Sequence, residues 1–311
     1  MQIIDLHCDT ILHLMDKPEL SLQNNNLSVD IKKLKAAKGL AQFFALFIDL
    51  AEHPNALQRC LAMIDIFYRE MEANSTAIAL AHSYQELLSH QQAGKIGAFL
   101  TIEEGGALEG RLENLRNFYR LGIRLLTLTW NYPNEIGYPN CKEAFRTKGL
   151  TQFGQQVVKE MNQLGMIIDV SHLSDQGFYD VLALSSKPFV ASHSNARAVC
   201  NHGRNLTDDM IRRLGEKGGV MGINFCGEFL GGTEFSKMDD MVAHIKHIYN
   251  VGGIEVLALG TDFDGIESKL EIATIGEIDT LIEGLRKNGF TEREIDKIAY
   301  KNTLRVIQEC L

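Results

Sequence analysis

Several short stretches of the sequence carry histidines and carboxylates that could bind a metal ion. Each lies at the end of an apolar run, and they are His7-Cys8-Asp9, Glu103-Glu104-Gly105-Gly106, Asp169-Val170-Ser171-His172, Ser192-His193-Ser194-Asn195 and Asp262-Phe263-Asp264-Gly265. Imidazoles and carboxylates that converge suit a borderline metal such as Zn²⁺, and two ions sharing a carboxylate would offset the negative charge. Such a pair generates hydroxide near neutral pH and polarises the bond under attack.

The spacing of the first stretch fits two ligands on one strand. His7 and Asp9 are two residues apart, so their side chains face the same side, whereas Cys8 points the other way into the wall. In the second stretch, spacing alone does not choose between Glu103 and Glu104. Each stretch also has a structural interpretation, since a lone strand-end histidine is a hydrogen-bonded structural residue in about two of three cases. Their joint placement at strand ends favours a site.

Apolar runs alternate with amphipathic stretches along the chain. The eight runs are 3–7, 42–47, 96–102, 124–129, 166–170, 189–192, 220–225 and 256–261, and most are almost continuously hydrophobic, as in parallel strands buried on both faces. Helical patterns occupy 54–72, 112–119, 151–164, 175–184, 207–216, 238–249, 276–287 and 291–309. The last of these opens with the capping-box pattern Thr291-x-x-Glu294.

This alternation predicts a (β/α)8 TIM barrel, in which the carboxyl ends of the strands form one rim and would bring the candidate ligands together. An open doubly wound sheet is the weaker alternative, because no strand-turn-helix carries a G-x-G-x-x-G or P-loop pattern. We expect one barrel domain over residues 1–311, since barrels run to about 250 residues or slightly more.

The composition and net charge of the chain argue against several classes of protein. The chain is 45% hydrophobic and 23% charged, which is normal for a globular protein and excludes extensive disorder. Its formal net charge of −9 argues against nucleic acid or an anionic membrane as a partner. No apolar stretch approaches the roughly 20 residues of a membrane span, and no leader-like segment precedes the first run, so we expect a cytoplasmic protein. The six cysteines form no C-x-x-C pair and are expected to be reduced thiols.

Trp130, the only tryptophan, opens a loop of some 20 residues that runs to about Gly149. A loop of this length could be a lid or a specificity wall, and a packed flap or a dimer contact is the alternative. Of the remaining histidines, His13 and His202 lie near the presumed rim and stay open, whereas the others are interpreted as structural.

Taken together and in order, the motifs resemble those of the membrane (renal) dipeptidase family, which are dinuclear zinc dipeptidases of the amidohydrolase type. The motifs span nearly the whole chain, and they are His7-Cys8-Asp9-Thr10, Glu104-Gly105-Gly106, Leu126-Thr127-Leu128-Thr129, Asp169-Val170-Ser171-His172, Ser192-His193-Ser194, Arg204-Asn205 and Gly260-Thr261-Asp262-Phe263-Asp264-Gly265. None is specific alone, but the combination is. The resemblance implies an amidohydrolase-like barrel that hydrolyses dipeptides, with those carrying a C-terminal D-residue among the candidate substrates.

The resemblance also implies two Zn²⁺ ions per chain. The implied ligands are His7, Asp9 and Glu104 for the first ion, and Glu104, His172 and His193 for the second. Glu104 would bridge the two ions, because the glycines that follow it match the family motif.

Further roles follow from the same resemblance. Asp262 would be the acid/base that accepts the proton of a metal-bridging hydroxide and passes it to the leaving amine. Arg204 would bind the free carboxylate of the dipeptide through two hydrogen bonds, and Asn205 beside it is a further candidate for substrate contact. Asp5 and Asp169 either orient a ligating imidazole or make strand-end hydrogen bonds unrelated to the metal.

The chain departs from the better-known mammalian members after Leu-Thr-Leu-Thr. Trp130-Asn131 stands where those members have a histidine that is thought to polarise the substrate carbonyl. An indole N–H donates but cannot carry charge, so Trp130 and Asn131 are expected to contact substrate without that electrophilic role. Bacterial members often have Trp-Asn here, so activity is still expected. Mammalian secretion and lipid-anchor signals are absent, so membrane attachment is not expected, and a homodimer is implied by the resemblance alone.

Two other functions stay open at this point. One is another amidohydrolase-type reaction, lactone hydrolysis or deamination. Many such enzymes carry His-x-His in the first strand, and the dinuclear ones often bridge their metals with a modified lysine after strand four, where this chain has His-x-Asp and Thr129-Trp130. The other is a metal-holding barrel without catalysis, which the presence of all the implied ligands and of an acid/base disfavours.

Overall fold

The computed structural model describes residues 1–311. Its strands are β1 (Ile3–Cys8), β2 (Gly39–Phe47), β3 (Ile78–Leu80), β4 (Ile96–Glu103), β5 (Ile123–Thr127), β6 (Ile167–Asp169), β7 (Val190–Ala191), β8 (Val220–Ile223), β9 (Phe235–Ser236), β10 (Leu257–Leu259) and β11 (Lys269–Leu270). Its helices are α1 (Thr10–Asp16), α2 (Ile31–Ala36), α3 (Ala56–Ala73), α4 (Tyr84–Gln92), α5 (Leu112–Arg120), α6 (Gln152–Leu164), α7 (Asp175–Leu184), α8 (Asp208–Glu216), α9 (Gly227–Leu230), α10 (Met238–Gly252), α11 (Asp279–Lys287), α12 (Glu292–Asp296) and α13 (Asn302–Cys310).

Eight parallel strands close into a barrel. Their order is β1-β2-β4-β5-β6-β7-β8-β10, and β10 pairs back to β1 through Leu259 and Asp5. Helices separate successive barrel strands, as parallel pairing requires. These strands coincide with the eight apolar runs, so the predicted (β/α)8 barrel is confirmed.

Three short strands were not predicted. Strand β3 pairs with residues 96–98 of β4, and β5 pairs with residues 100–103 further along the same strand. Strands β9 and β11 form a separate two-stranded parallel pair outside the barrel. No apolar run marks β9 or β11 in the sequence, and β3 lies in the apolar segment 77–81 outside the eight predicted runs.

The barrel lumen is a packed core. A small apolar cluster takes residues from every barrel strand, and Phe43 and Phe99 stack within it at 4.6 Å between ring centroids. Val306 and Ile307 of α13 belong to this cluster and close one end. On β4, Leu100 belongs instead to the larger cluster that packs strands against helices. Alternation along the strand therefore sends Phe99 and Glu103, four residues apart, towards the lumen.

Local capping fixes several helix starts near those predicted. Thr151, Ser174 and Thr207 each accept a hydrogen bond from the third residue of the following helix. The capping box of Thr291 and Glu294 is present as predicted. The helix expected over 291–309 is interrupted by a π-helical turn, so it divides into α12 and α13.

All six cysteines are unpaired. None of the helices is both long and apolar enough to cross a membrane.

Candidate active site

The carboxylate of Glu103 lies between two sets of histidines at the carboxyl ends of the strands. Its Oε2 is 3.1 Å from His7 Nε2. Its Oε1 is 3.0 Å from His172 Nε2 and 3.4 Å from His193 Nε2. The Nε2 atoms of His172 and His193 are 2.9 Å apart. One carboxylate thus offers one oxygen to each set, and all four side chains are buried.

Two aspartates complete the set around His7. Asp9 Oδ2 lies 3.4 Å and Asp262 Oδ1 lies 3.8 Å from His7 Nε2. Both ring nitrogens of His7 and Asp9 Oδ1 are buried without a hydrogen-bond partner. The predicted convergence of His7, Asp9, His172, His193 and Asp262 is what the structure contains.

The predicted ligand Glu104 is wrong, because its carboxylate points away from the histidines. Glu104 Oε1 accepts hydrogen bonds from Gly106 N at 2.7 Å and from Asn134 Nδ2, and Oε2 accepts one from Trp130 N at 3.0 Å. Glu103 is the last residue of β4 and faces the lumen, whereas Glu104 begins a turn with φ of 151°. The glycines that match the family motif therefore pointed to Glu104, whereas its neighbour Glu103 is the residue that enters the site.

Hydrogen bonds at the far side of two rings fix which nitrogen faces Glu103. His172 Nδ1 donates to Asn131 Oδ1 at 3.1 Å. Ser192 Oγ donates to Asp169 Oδ2 at 2.6 Å, so its lone pair accepts His193 Nδ1–H at 2.7 Å. Each neutral ring therefore carries a lone pair on Nε2. Two such lone pairs beside a carboxylate repel one another unless a cation lies among them, so these residues fit a metal ion.

Burial and charge set the protonation of the site. Burial lowers the pKa of His172 to about 4 and that of His193 well below its usual value, so both rings are neutral near pH 7, the form that binds metals. Burial also lowers the pKa of His7, but the carboxylates of Glu103 and Asp9 outweigh it and hold that pKa well above the usual value. Burial raises the pKa of Asp9 to about 7. The carboxylates of the cluster therefore stabilise a positive charge at its centre.

Asp262 is oriented by a residue that the sequence did not reveal. Asn224 Nδ2 donates to Asp262 Oδ2 at 2.7 Å. Asn224 is itself held by Asn195, whose Nδ2 donates to Asn224 O at 2.9 Å. Asp262 has φ of 62° and His172 has φ of 67°, conformations that non-glycine residues adopt only when their surroundings hold them.

The two candidate orienting aspartates differ in what they hold. Asp169 Oδ1 accepts from Ser171 N and Ser192 N at 2.9 Å, and through Ser192 it supports the ring of His193. Asp5 contacts no imidazole. It accepts from Thr261 N at 2.8 Å, directly before Asp262. Asp169 therefore matches the predicted role, whereas Asp5 braces the strand end that carries the acid/base.

Arg204 lies beside the cluster with two free donors. It is 3% exposed, its Nη2 donates to His193 O at 3.2 Å, and its Nε and Nη1 have no partner. The side-chain nitrogen of Asn205 ties two loops together, since Nδ2 donates to Cys200 O and Phe229 O at 2.9 and 2.8 Å. Asn205 Oδ1 is buried without a hydrogen-bond partner, so the substrate contact of Asn205 stays a prediction.

A cavity of about 750 Å³ opens onto the cluster. Trp130 and Asn131, the two predicted substrate contacts, line it together with Phe47. The rings of Trp130 and Phe47 meet edge to face at 4.7 Å, and Trp130 is 6.3 Å from the ring of His172. Only the first two residues of this loop, Trp130 and Asn131, line the cavity. Ile136 further along is buried, whereas residues 141–144 and 147–148 are exposed.

A (β/α)8 barrel whose strand ends hold a buried cluster of imidazoles and carboxylates is typical of a metal-dependent enzyme. The family model for membrane dipeptidase, peptidase family M19, matches residues 1–310. The chain belongs to this family and is a metallo-dipeptidase, a hydrolase of peptide bonds.

Relatives and solved structures agree with this assignment. Dipeptidase 3 of Mus musculus is 32% identical over 319 residues, covering 99% of this chain and 64% of the mouse protein. Dipeptidase tcpJ of Claviceps purpurea is 29% identical, covering 90% of this chain and 69% of that protein. The crystal structure of a dipeptidase of family M19 superposes with a TM-score of 0.93 at 26% identity and covers 100% of this chain and 98% of its own.

Proposed function

We propose that the protein hydrolyses dipeptides with two Zn²⁺ ions. The proposed ligands are His7, Asp9 and Glu103 for one ion, and Glu103, His172 and His193 for the other. The observation that carries this proposal is the carboxylate of Glu103, whose two oxygens lie 3.1 Å and 3.0 Å from the Nε2 atoms of His7 and His172. An oxygen directed to each of two ligand sets is what a bridging carboxylate requires.

Zn²⁺ ions, when bound, supply Lewis acidity, which makes water more acidic and polarises a carbonyl. Asp262 supplies the proton transfer. Its Oδ2 is fixed by Asn224 at 2.7 Å, which leaves Oδ1 to accept a proton from the attacking water and give it to the leaving amine. Ser192 and Asn131 hold the two rings so that Nε2 of each faces Glu103 throughout.

Arg204 selects the substrate by its terminal carboxylate. Two unpartnered donors on a buried guanidinium suit the two oxygens of a carboxylate. Such a contact would limit the enzyme to substrates that end one residue after the scissile bond.

A C-terminal D-residue is proposed to be accepted as well. A metallopeptidase from Rhodobacter sphaeroides, solved with a phosphinate mimic of the dipeptide L-Ala-D-Ala, has a TM-score of 0.91 at 25% identity and covers 100% of this chain and 99% of its own. This relative supports L-Ala-D-Ala as a test substrate.

The test is zinc content by elemental analysis together with hydrolysis of L-Ala-L-Ala and L-Ala-D-Ala before and after chelation. We expect about two zinc ions per chain and cleavage that chelation abolishes and Zn²⁺ restores. Asp262→Asn should keep its zinc and lose at least about 100-fold in kcat, the usual contribution of a general acid/base. Asp65→Asn, at an exposed position on α3, is the matched control and should behave as wild type. Full turnover of Asp262→Asn would remove Asp262 from its role.

Lactone hydrolysis and deamination are disfavoured by the family assignment and by the absence of a lysine at Thr129-Trp130. A substrate panel that includes lactones and aminopurines would overturn the proposal if either class were turned over while all dipeptides were not.

A further inference from the structure

The loop that begins at Trp130 is tied to the strand end that carries Glu103. Glu104, the next residue, is fully buried and accepts hydrogen bonds from Gly106 N, Trp130 N and Asn134 Nδ2. A buried carboxylate is costly unless several donors satisfy it, and here two of the three belong to the loop.

The segments also touch through their backbones. A Cβ on Gly105 would lie 2.4 Å from Leu128 O, so only glycine allows this approach. Asn134 closes the loop on itself. Its Nδ2 donates to Leu128 O at 2.9 Å, and its Oδ1 accepts from Ile136 N at 2.8 Å and Gly137 N at 3.1 Å. Its amide thus joins the start of the loop to its middle.

The same loop holds His172 at two points. Asn131 Oδ1 accepts from His172 Nδ1 at 3.1 Å, and Asn140 N donates to His172 O at 2.7 Å. The second contact stabilises a residue whose φ of 67° is unfavourable for a side chain with a Cβ. His172 has no other side-chain contact that fixes its Nδ1.

From these contacts we infer that Glu104 is a positioning residue for the metal site. It anchors the segment 130–134, so that Asn131 keeps the Nε2 of His172 directed at Glu103. Adjacent glutamates thus serve one site from opposite sides, since Glu103 enters it and Glu104 holds the loop that orients a histidine. This inference rests on the proposed function for the identity of the metal, but the loop contact does not depend on it.

Glu104→Gln tests the anchor directly. The amide keeps the size of the carboxylate but places an NH2 group where a donor now points, so at least one contact is lost. Glu135→Gln is the matched control, because Glu135 lies in the same loop with an exposed side chain. Trp130 is the only tryptophan, so its fluorescence reports on this segment alone.

Two readouts separate positioning from general stability. In the folded, metal-free protein, we expect acrylamide quenching of Trp130 to rise about 2-fold or more in Glu104→Gln and to stay unchanged in Glu135→Gln. By chelator competition with Zn²⁺ as the probe, we expect the zinc site that includes His172 to lose about 10-fold or more in affinity, as is usual when the partner of a ligating histidine is disturbed.

Asn131→Ala supplies a second route if Glu104→Gln does not fold. It removes the acceptor of His172 Nδ1 and leaves Glu104 intact, and it should weaken the same zinc site by about 10-fold. Folded Glu104→Gln with wild-type quenching and zinc affinity, or Asn131→Ala with wild-type zinc affinity, would overturn the inference. A wild-type protein that binds no zinc would instead overturn the proposed function, and the quenching comparison would still decide whether Glu104 anchors the loop.

Discussion

Replacing Ser192 with alanine should destabilise the protein far more than the same replacement of Ser194, an equally buried serine two positions away. The hydroxyl of Ser192 donates to Asp169 Oδ2 at 2.6 Å and accepts His193 Nδ1–H at 2.7 Å. Ser192→Ala removes one hydrogen bond to a charged group, worth about 1.5–3 kcal/mol, and leaves a buried ring N–H without an acceptor, which costs about 1–3 kcal/mol. Because one hydroxyl makes both contacts, the losses overlap, and we expect about 3 kcal/mol in total.

Ser194→Ala is the matched control for this prediction. Ser194 is 1% exposed, as buried as Ser192, but its hydroxyl has no hydrogen-bond partner. Its removal should therefore change the free energy of unfolding by less than about 0.5 kcal/mol.

Urea unfolding of the metal-free proteins measures both values. Unfolding is followed by far-UV circular dichroism and by Trp130 fluorescence, because coincident transitions are required for a free energy of unfolding to be defined. Zinc affinity should also fall by about 10–100-fold in Ser192→Ala, since His193 would lose the contact that fixes its ring. Equal free energies of unfolding for the two variants, with equal zinc affinity, would contradict the role assigned to Ser192.

Two other substitutions test the substrate contact and the packing of the strand ends. Arg204→Lys keeps the charge but loses the paired donors, so KM for L-Ala-L-Ala should rise about 10-fold or more with zinc content unchanged, and an unchanged KM would refute carboxylate binding by Arg204. Gly260→Ala should cost about 3 kcal/mol or more in urea unfolding, because its Cβ would lie 1.8 Å from Ser192 O. Gly137→Ala, where the nearest atoms would be 3.5 Å away, should stay within about 1 kcal/mol of wild type, and similar losses in the two variants would show that the close approach does not matter.

The barrel could be predicted because each of its eight strands overlaps an apolar run, even where the strand itself has only two or three residues. Each apolar run recurs at a helix-length interval, and the polar residues that follow it mark the rim. The histidines and aspartates of the site were found in this way. The pair β9–β11 was not predicted because both strands lie among polar residues, and β3 lies in the apolar segment 77–81, which the eight runs do not include.

The choice between Glu103 and Glu104 shows where sequence reasoning failed. Strand β4 is apolar on both faces, so the sequence does not reveal which residues face the lumen. The stacking of Phe99 on Phe43 settles that alternation, and it directs Glu103 inwards. The glycines after Glu104 fix a turn and carry no information about the direction of a side chain.

The supporting residues were missed for a different reason. Asn224 acts on Asp262 across 38 positions of the chain, and Asn134 acts on Glu104 across 30. No local spacing joins such pairs, because the barrel alone brings them together. Such supporting residues can be identified only when the three-dimensional structure shows which residues meet at the rim of the barrel.

The most direct test of the central claim is a crystal structure of the protein grown with Zn²⁺, with an anomalous difference map collected at the zinc edge. We expect two peaks, one on each side of the Glu103 carboxylate, with His7 and Asp9 at one peak and His172 and His193 at the other. A single peak, no peak, or a peak ligated by Glu104 would contradict the bridging role of Glu103 and with it the proposed dinuclear mechanism.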